Sequence, residues 1–396
     1  MKKLLAIVLA VVMVLSMTAC GAGSTTETTP AATNAAQTPD AGNAAGSESG
    51  EELTVFGKPA SEVGVVLILN TQRGDHAICD LSYEGLMAVA EKYGCNTAVV
   101  ELQGDPTLQI PTMQEYAEDP DFDLIVCGTS NLKEAAQTVA QEYPDQKFIL
   151  YDAQDELGLP NIYSMDHAQN EGAYLAGVAA ALLTTSSAPL ANEEKIVGFV
   201  GGGENTALDD YLIGYIQGVH SVDEDINILV SWIGDFKDTA KGKELAIAQA
   251  NQGADVIFSV AGGAGLGILA GCQEANIYAV GVDSDQYTVL TEAGDTALAA
   301  NICTSMYKKA NVTVSTLVGM AMDGTLEWGG YIKWGLSMGV VGLATDNDNY
   351  RNIFTEDMQA YIAQVQEDAV AGKLEIKSAI GMENDELQAI LATASK

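Results

Sequence analysis

Positive charge is scarce in this chain: 18 Lys and Arg stand against 54 Asp and Glu, a formal net charge of −36 over 396 residues. No cluster of Lys or Arg interrupts that pattern, which excludes nucleic acid as a partner, because neutralising phosphates requires a basic patch. Histidine is rarer still, with three residues in all, far apart at positions 76, 167 and 220. The six cysteines, at 20, 79, 95, 127, 272 and 303, have no metal-ligand spacing and do not read as a disulfide framework. Cys95, Cys127, Cys272 and Cys303 sit in apolar surroundings and read as small buried hydrophobes. There is no G-x-S-x-G elbow, H-E-x-x-H pair or P-loop, so an enzyme reading lacks its parts and no cofactor is expected. The apolar run Leu4–Leu15 is too short to cross a bilayer as a stable helix.

That run has a different use. Lys2 and Lys3 precede it, and Met17-Thr18-Ala19-Cys20-Gly21 follows it with small residues before a cysteine. The arrangement resembles a bacterial lipoprotein signal, with residues 1–20 removed and Cys20 lipidated to anchor the chain at the outer face of the cell membrane. Secretion with cleavage elsewhere is the alternative. Residues 21–55 are dominated by Ser, Thr, Ala, Gly, Asn and Pro and cannot bury enough apolar surface to offset chain entropy, so they read as a flexible tether.

The chain as a whole is 47% hydrophobic, and beyond Glu62 it alternates strand and helix. Val63–Leu69, Asn96–Leu102, Leu124–Val126 and Phe148–Tyr151 read as strands, the third ending at Gly128-Thr129-Ser130-Asn131 and the fourth delivering Asp152. Helices are expected over Leu81–Tyr93, Pro111–Ala117 and Lys133–Tyr143. A second set follows: helix Gly172–Leu183, strand Lys195–Val200, helix Tyr211–Val219, strand Ile226–Trp232, and helix Lys241–Asn251 capped by Asp238. The stretch from Gly253 to Tyr287 then reads as strand, glycine turn through Gly262 and Gly263, helix, and a second strand with Asp283 and Asp285 just past its end. Met306–Met322 is expected to be one long helix with Lys308 and Lys309 in its first turns, and Asn352–Ala371 a final helix. Repeated βα units imply parallel sheets covered on both faces, and small ligands bind at the carboxyl edge of such sheets.

Several stretches together resemble the basic membrane protein family of bacterial surface lipoproteins, the purine nucleoside receptors of ABC importers. These are Gly198-Phe-Val-Gly-Gly202, Lys241-Gly-Lys-Glu244, Gly253-Ala-Asp-Val-Ile-Phe258, Val260-Ala-Gly-Gly263, Gly281-Val-Asp-Ser-Asp-Gln286, Glu171-Gly172 with Tyr174-Leu-Ala-Gly177, and Thr304-Ser305 with Lys308. The resemblance implies an α/β type I periplasmic-binding-protein fold, two doubly wound lobes joined by three hinge crossings near Tyr163–His167, Ala300–Cys303 and Trp328–Trp334. On that basis residues 56–165 plus 302–330 form the first lobe and 166–301 plus 331–396 the second. It also implies a purine nucleoside or nucleoside-like ligand trapped between the lobes, with ABC permease and ATPase subunits as partners. A surface sensor with the same clamp is the alternative.

Carried over residue by residue, Asp283 resembles the carboxylate that accepts the ribose diol, Lys308 a contact from the other lobe, Phe236 a stacking aromatic and Asp152 a polar contact. Asp75, Ile78, Cys79, Asp80, Ser130, Asn131, Gly262, Gly263 and Asp285 complete the expected ligand set. The first loop departs from the family's Asp-Asp-Lys-Ser-Phe-Asn pattern: here it reads Gly74-Asp75-His76-Ala77-Ile78-Cys79, with Ile78 in place of the ring and Cys79 in place of the amide. The expectation is a hydroxyl-recognising half that is kept and a base-recognising half that is rebuilt.

Overall fold

The run Gly64–Leu69 is buried at all six positions, which a strand satisfies only inside a sheet covered on both faces. In the computed structural model, which describes residues 54–153 and 156–395, that strand belongs to the first of two six-stranded sheets. A short ribbon of β1 (Thr54–Val55) and β2 (Lys58–Pro59) leads into it. There follow β3 (Gly64–Leu69), α1 (Ile78–Tyr93), β4 (Asn96–Glu101), α2 (Gln109–Glu118), β5 (Leu124–Gly128), α3 (Lys133–Glu142), β6 (Lys147–Tyr151) and β7 (Ile162–His167). The second set is α4 (Gln169–Thr184), β8 (Ile196–Gly201), α5 (Thr206–Val222), β9 (Asn227–Trp232), α6 (Thr239–Ala250), β10 (Ala254–Val260), α7 (Gly265–Ala275) and β11 (Tyr278–Asp283). The rest comprises α8 (Gln286–Glu292), α9 (Thr296–Ala299), β12 (Ile302–Lys308), α10 (Ala310–Met322), β13 (Tyr331–Trp334), β14 (Val341–Leu343), α11 (Asp348–Ile353), α12 (Glu356–Val370) and α13 (Asn384–Leu391).

The first sheet runs β13-β7-β6-β5-β3-β4 and the second β14-β12-β11-β10-β8-β9. All pairs are parallel except β12 with β14. In each sheet the order in which successive strands are laid down reverses at one point, between β3 and β5 and between β8 and β10, and crevices open outside the carboxyl ends there. Both lobes lie within one compact unit.

Three readings from sequence change. Met306–Met322 is not one helix: Ile302–Lys308 pairs with β11 and β14, and the helix begins only at Ala310. Six of those seven strand positions are buried, a two-sided pattern that blends into the apolar helix after it. The second crossing accordingly lies at Lys309, since α10 packs Val314, Leu317 and Val318 against Leu86 and Val89 of α1 in the first lobe. The first crossing follows His167, because β7 is a strand of the first sheet throughout; the third follows Trp334, because β13 is that sheet's outermost strand. Strand β12 thus belongs to the second lobe and β13 to the first, the reverse of the boundaries drawn from sequence. The final helix is two, broken at Phe354, with the Thr355 hydroxyl accepting from the Met358 N–H.

The second lobe's core is built on α4, whose alanine-rich surface is buried almost throughout. Its partner α5 comes so close that a Cβ on Gly218 would stand 2.0 Å from the Tyr174 carbonyl oxygen. The C-terminal segment straps this pair: the Asp210 carboxylate accepts from the Ser378 hydroxyl and the Ala379 N–H, and the Asn170 amide donates to the carbonyls of Ile376 and Lys377. The leader (residues 1–20, with Cys20) and nearly all of the tether, expectations of the sequence, lie outside the described residues.

Candidate ligand-binding site

The two crevices face one another and form a single cleft with about 800 Å³ of space free of protein atoms, part of it continuous with solvent. From the first lobe it is lined by the end of β3 with the loop into α1, by Gly128-Thr129-Ser130-Asn131 after β5, and by Asp152 after β6. The second lobe contributes Asn205 and Tyr211 of the β8–α5 unit, Phe236, the Val260-Ala261-Gly262 turn, Asp283 and Lys308. The lobes touch at the rim, where the Ser284 hydroxyl donates to the His76 carbonyl and the Lys237 ammonium to the Gln103 carbonyl. The cleft is closed.

Asp75 serves the start of α1. The cap residue is Ala77, which has no side-chain acceptor, so the Asp75 carboxylate accepts from the N–H groups of Ala77 (3.0 Å), Cys79 (3.0 Å) and Asp80 (3.2 Å). Burial nonetheless holds its carboxyl above the usual range, against those three N–H groups. Asp283 and Asp152 stand at strand ends in left-handed backbone conformations, φ 66° and 59°. Such conformations cost non-glycine residues about 1–2 kcal/mol and collect at functional sites.

These two carboxylates share one lysine. The Lys308 ammonium lies 2.8 Å from Asp152 Oδ2 and 3.9 Å from Asp283 Oδ1, and 5.3 Å from the centre of the Tyr211 ring. Burial pushes Asp152 upward, but Lys308 and His167 outweigh it and hold the carboxylate well below its ordinary range. Burial likewise disfavours the Lys308 charge, and Asp152, Tyr211 and Asp283 together reverse that and raise it. Asp283 is treated differently. Burial dominates, Asp152 and Asp75 add to it, Lys308 and Tyr211 oppose, and its carboxyl is raised to about 6. Its recorded side-chain hydrogen bond is a long one, 3.4 Å from the Tyr211 hydroxyl. The site therefore holds a satisfied carboxylate, Asp152, and a poorly satisfied one, Asp283, at 7% exposure each.

Of the residues expected from sequence, Asp75, Ile78, Cys79, Ser130, Asn131, Asp152, Phe236, Gly262, Asp283 and Lys308 line the cleft. Asp80, Asp285 and Gly263 do not. The Asp80 carboxylate holds the loop before α1 by accepting from the N–H groups of Gly74 and His76. Asp285 caps α8, accepting from Thr288, and takes the Asn347 amide. Gly263 lies on the far side of Phe236, against its carbonyl. Lys308, expected on a helix, is the last residue of β12 and is buried. Tyr211, which lines the cleft, and His167, which lies behind it on Asp152, carry no signal in the sequence beyond a helix start and a hinge. Burial pushes the Cys79 thiol far up, away from the thiolate form, and Asp75 adds to that. Among the described residues no group of three or more His, Cys, Asp or Glu could hold a metal ion.

A closed cleft between two doubly wound lobes is the geometry of solute capture, and comparison with known proteins agrees. The fold matches a solute-binding protein of an ABC transporter system from Aeropyrum pernix, with a TM-score of 0.73 at 21% identity over 84% of this chain and 98% of that one. It also matches a periplasmic solute-binding protein from Actinobacillus succinogenes with bound D-allose, with a TM-score of 0.53 at 13% identity over 73% and 99%. In sequence the chain is 26% identical over 348 residues to the ABC transporter nucleoside-binding protein BmpA of Lactococcus lactis, covering 84% of this chain and 94% of that protein. Basic membrane protein A of Borreliella burgdorferi is 28% identical over 298 residues, 72% of this chain and 80% of its own. Residues 62–379 match the Bmp family model, ABC transporter substrate-binding protein PnrA-like, and the chain belongs to that family of extracytoplasmic solute-binding proteins.

Proposed function

We propose that this protein captures a purine nucleoside or nucleoside-like solute in the closed cleft and presents it to an ABC permease and ATPase, held at the membrane through lipidated Cys20. The observation that carries the reading is Asp283: a buried, poorly satisfied carboxylate aimed into the cleft beside a buried lysine. Such a group is completed by donors, and a ribose diol supplies two. Hydrogen bonds to a charged group contribute about 1.5–3 kcal/mol each. Phe236 offers a ring on the second-lobe side of the same cavity, where a base face can stack. Ile78 covers the first-lobe side without a ring, and Cys79, engaged with the Thr71 hydroxyl at 3.2 Å, offers little hydrogen bonding to a base. The sugar side is thus the better-built half.

The test is calorimetric titration of ligand-stripped protein with adenosine, guanosine, inosine, cytidine, ribose and free purines, repeated with Asp283→Ala. Nucleosides are expected to bind and free bases not to, with Asp283→Ala losing at least tenfold in affinity, about 1.4 kcal/mol. Binding of free bases alone, or unaltered affinity in the variant, overturns the reading. Labelling of wild-type cells with a radioactive fatty acid, against Cys20→Ala, tests the anchor.

A further inference from the structure

His167 is the last residue of β7, at the first crossing between lobes, and is wholly buried. Its Nδ1 lies 3.1 Å from Asp152 Oδ1 and its Nε2 2.9 Å from the Thr313 hydroxyl on α10. The proton positions follow from the partners. Asp152, held low, is ionised and can only accept, so Nδ1 carries the proton; the ring is neutral, since burial lowers its affinity for a second one against the pull of Asp152. Nε2 is then an acceptor and Thr313 the donor. The other Asp152 oxygen takes Lys308 at 2.8 Å. A chain of Thr313, His167, Asp152 and Lys308 thus joins the first crossing to the second, and ends 3.9 Å short of Asp283.

Two carboxylates compete for one ammonium, and the outcome decides which is left for a ligand. We infer that His167 is a positioning residue: by donating from Nδ1 it fixes Asp152 on Lys308, and so keeps Asp283 open to the donors of a bound solute. Without that donor Asp152 is no longer oriented, and Lys308 is drawn the remaining distance onto Asp283, forming an ion pair where the ligand should bind. The groups facing Asp283 are Lys308, Asp152, Asp75 and Tyr211. Of these Lys308 is the one whose placement His167 controls through Asp152. The inference rests on the proposed function for its ligand but not for its first measurement.

Two amide replacements separate positioning from mere packing. His167→Asn places an N–H where Nδ1 stood; His167→Gln extends its amide toward Nε2 and Thr313, leaving Asp152 without its donor. Both truncate the ring and create some cavity, so a purely structural role makes them similar. Carboxyl-carbon NMR of ligand-free protein, with Asp283→Asn to identify the signal, follows the Asp283 titration directly. The midpoint is expected to be alike in wild type and His167→Asn, and lower by about one pH unit in His167→Gln, a tenfold change in the proton affinity of that carboxyl. Adenosine titration is expected to show His167→Gln binding about tenfold more weakly than His167→Asn. Equal Asp283 midpoints in the two variants overturn the inference, whatever happens with adenosine. Failure of wild type to bind any nucleoside, with the midpoints separated as expected, counts against the nucleoside reading and leaves the positioning role standing.

Discussion

Asp166 occupies the hinge strand β7, one residue before His167, and is a buried carboxyl with poor support. It is 0% exposed, and neither carboxylate oxygen has a hydrogen-bond partner among the described residues. Its neighbour across the sheet in register is Lys333 of β13, whose ammonium lies 3.9 Å away, beyond hydrogen-bonding reach. Burial, reinforced by Asp152 and Asp210 and opposed by Lys333 and Lys308, raises the carboxyl to about 7. A folded value above the unfolded one means that the native state holds a proton the unfolded chain has released. Stability from this group is complete below the unfolded value near 3.8 and is lost as pH rises to about 7, with the slope set by the difference in bound protons. At 1.36 kcal/mol per pH unit that span corresponds to a penalty of about 4 kcal/mol above neutrality, an upper bound because water reaches such sites in part.

Asp166→Asn removes the charge and keeps the shape. The amide still needs partners, so we expect about 1–3 kcal/mol of stabilisation at pH 8, and little change at pH 4.5, where the native carboxyl is already neutral. Thermal melts of both proteins from pH 4.5 to 8.5 provide the assay, at roughly 2–4 °C per kcal/mol. The difference between the two melting temperatures is the diagnostic quantity, because Asp209 and Asp283, each raised to about 6 by burial first, titrate identically in both proteins and cancel. A difference that stays flat across that range, or a variant that is less stable at pH 8 than at pH 4.5 relative to wild type, refutes the reasoning.

Two further outcomes follow from the cleft. Both hydroxyls of a diol can donate to Asp283, as charge-assisted bonds, only when the carboxyl is ionised, so binding favours the ionised form, releases a proton below about 6, and nucleoside affinity should fall by up to tenfold per pH unit below that value and level off above it; calorimetry in buffers of different ionisation enthalpy measures that proton, and uptake in place of release would sink the assignment. Phe236→Ala should weaken nucleosides by about 0.5–1.5 kcal/mol of stacking while leaving any affinity for free ribose unchanged, a split readable in paired titrations.

The alternation of buried strands and capped helices was legible because two-sided burial leaves continuous apolar runs, as in Gly64–Leu69 and Val256–Val260. Asp283 could be found from sequence for the same reason: a strand that ends in a carboxylate places it at the carboxyl edge. What failed to show was whatever depended on partners distant in the chain. Lys308 looks like a helix residue until β11 and β14 are placed beside it, and His167 like a hinge residue until Asp152 and Thr313, 15 and 146 positions away, close around it. Asp285 and Asp80 carried the right chemistry at the right edge, yet both are spent on N–H groups and an amide nearby. A short-range cap and a ligand contact have the same local sequence, and the fold decides between them.

The charge carried by the cleft bears on what it admits. Asp75, Asp152 and Asp283 line it together with Lys308 and no other cationic side chain among the described residues, and Lys308 is already committed to Asp152. A phosphate brought within about 4 Å of one unmatched carboxylate meets a repulsion on the order of 4 kcal/mol at an effective dielectric constant of 20, roughly a thousandfold in affinity. A neutral, hydroxyl-bearing solute meets the reverse, donors arriving where an acceptor is short of them. The expected result is that adenosine 5′-monophosphate fails to displace bound adenosine at a hundredfold excess at pH 7.5, and fails equally in high salt, since a buried field is screened little by ions outside. Displacement at that excess would mean that the carboxylates are protonated or turned away in the closed form, and would remove the electrostatic basis for selecting the unphosphorylated sugar.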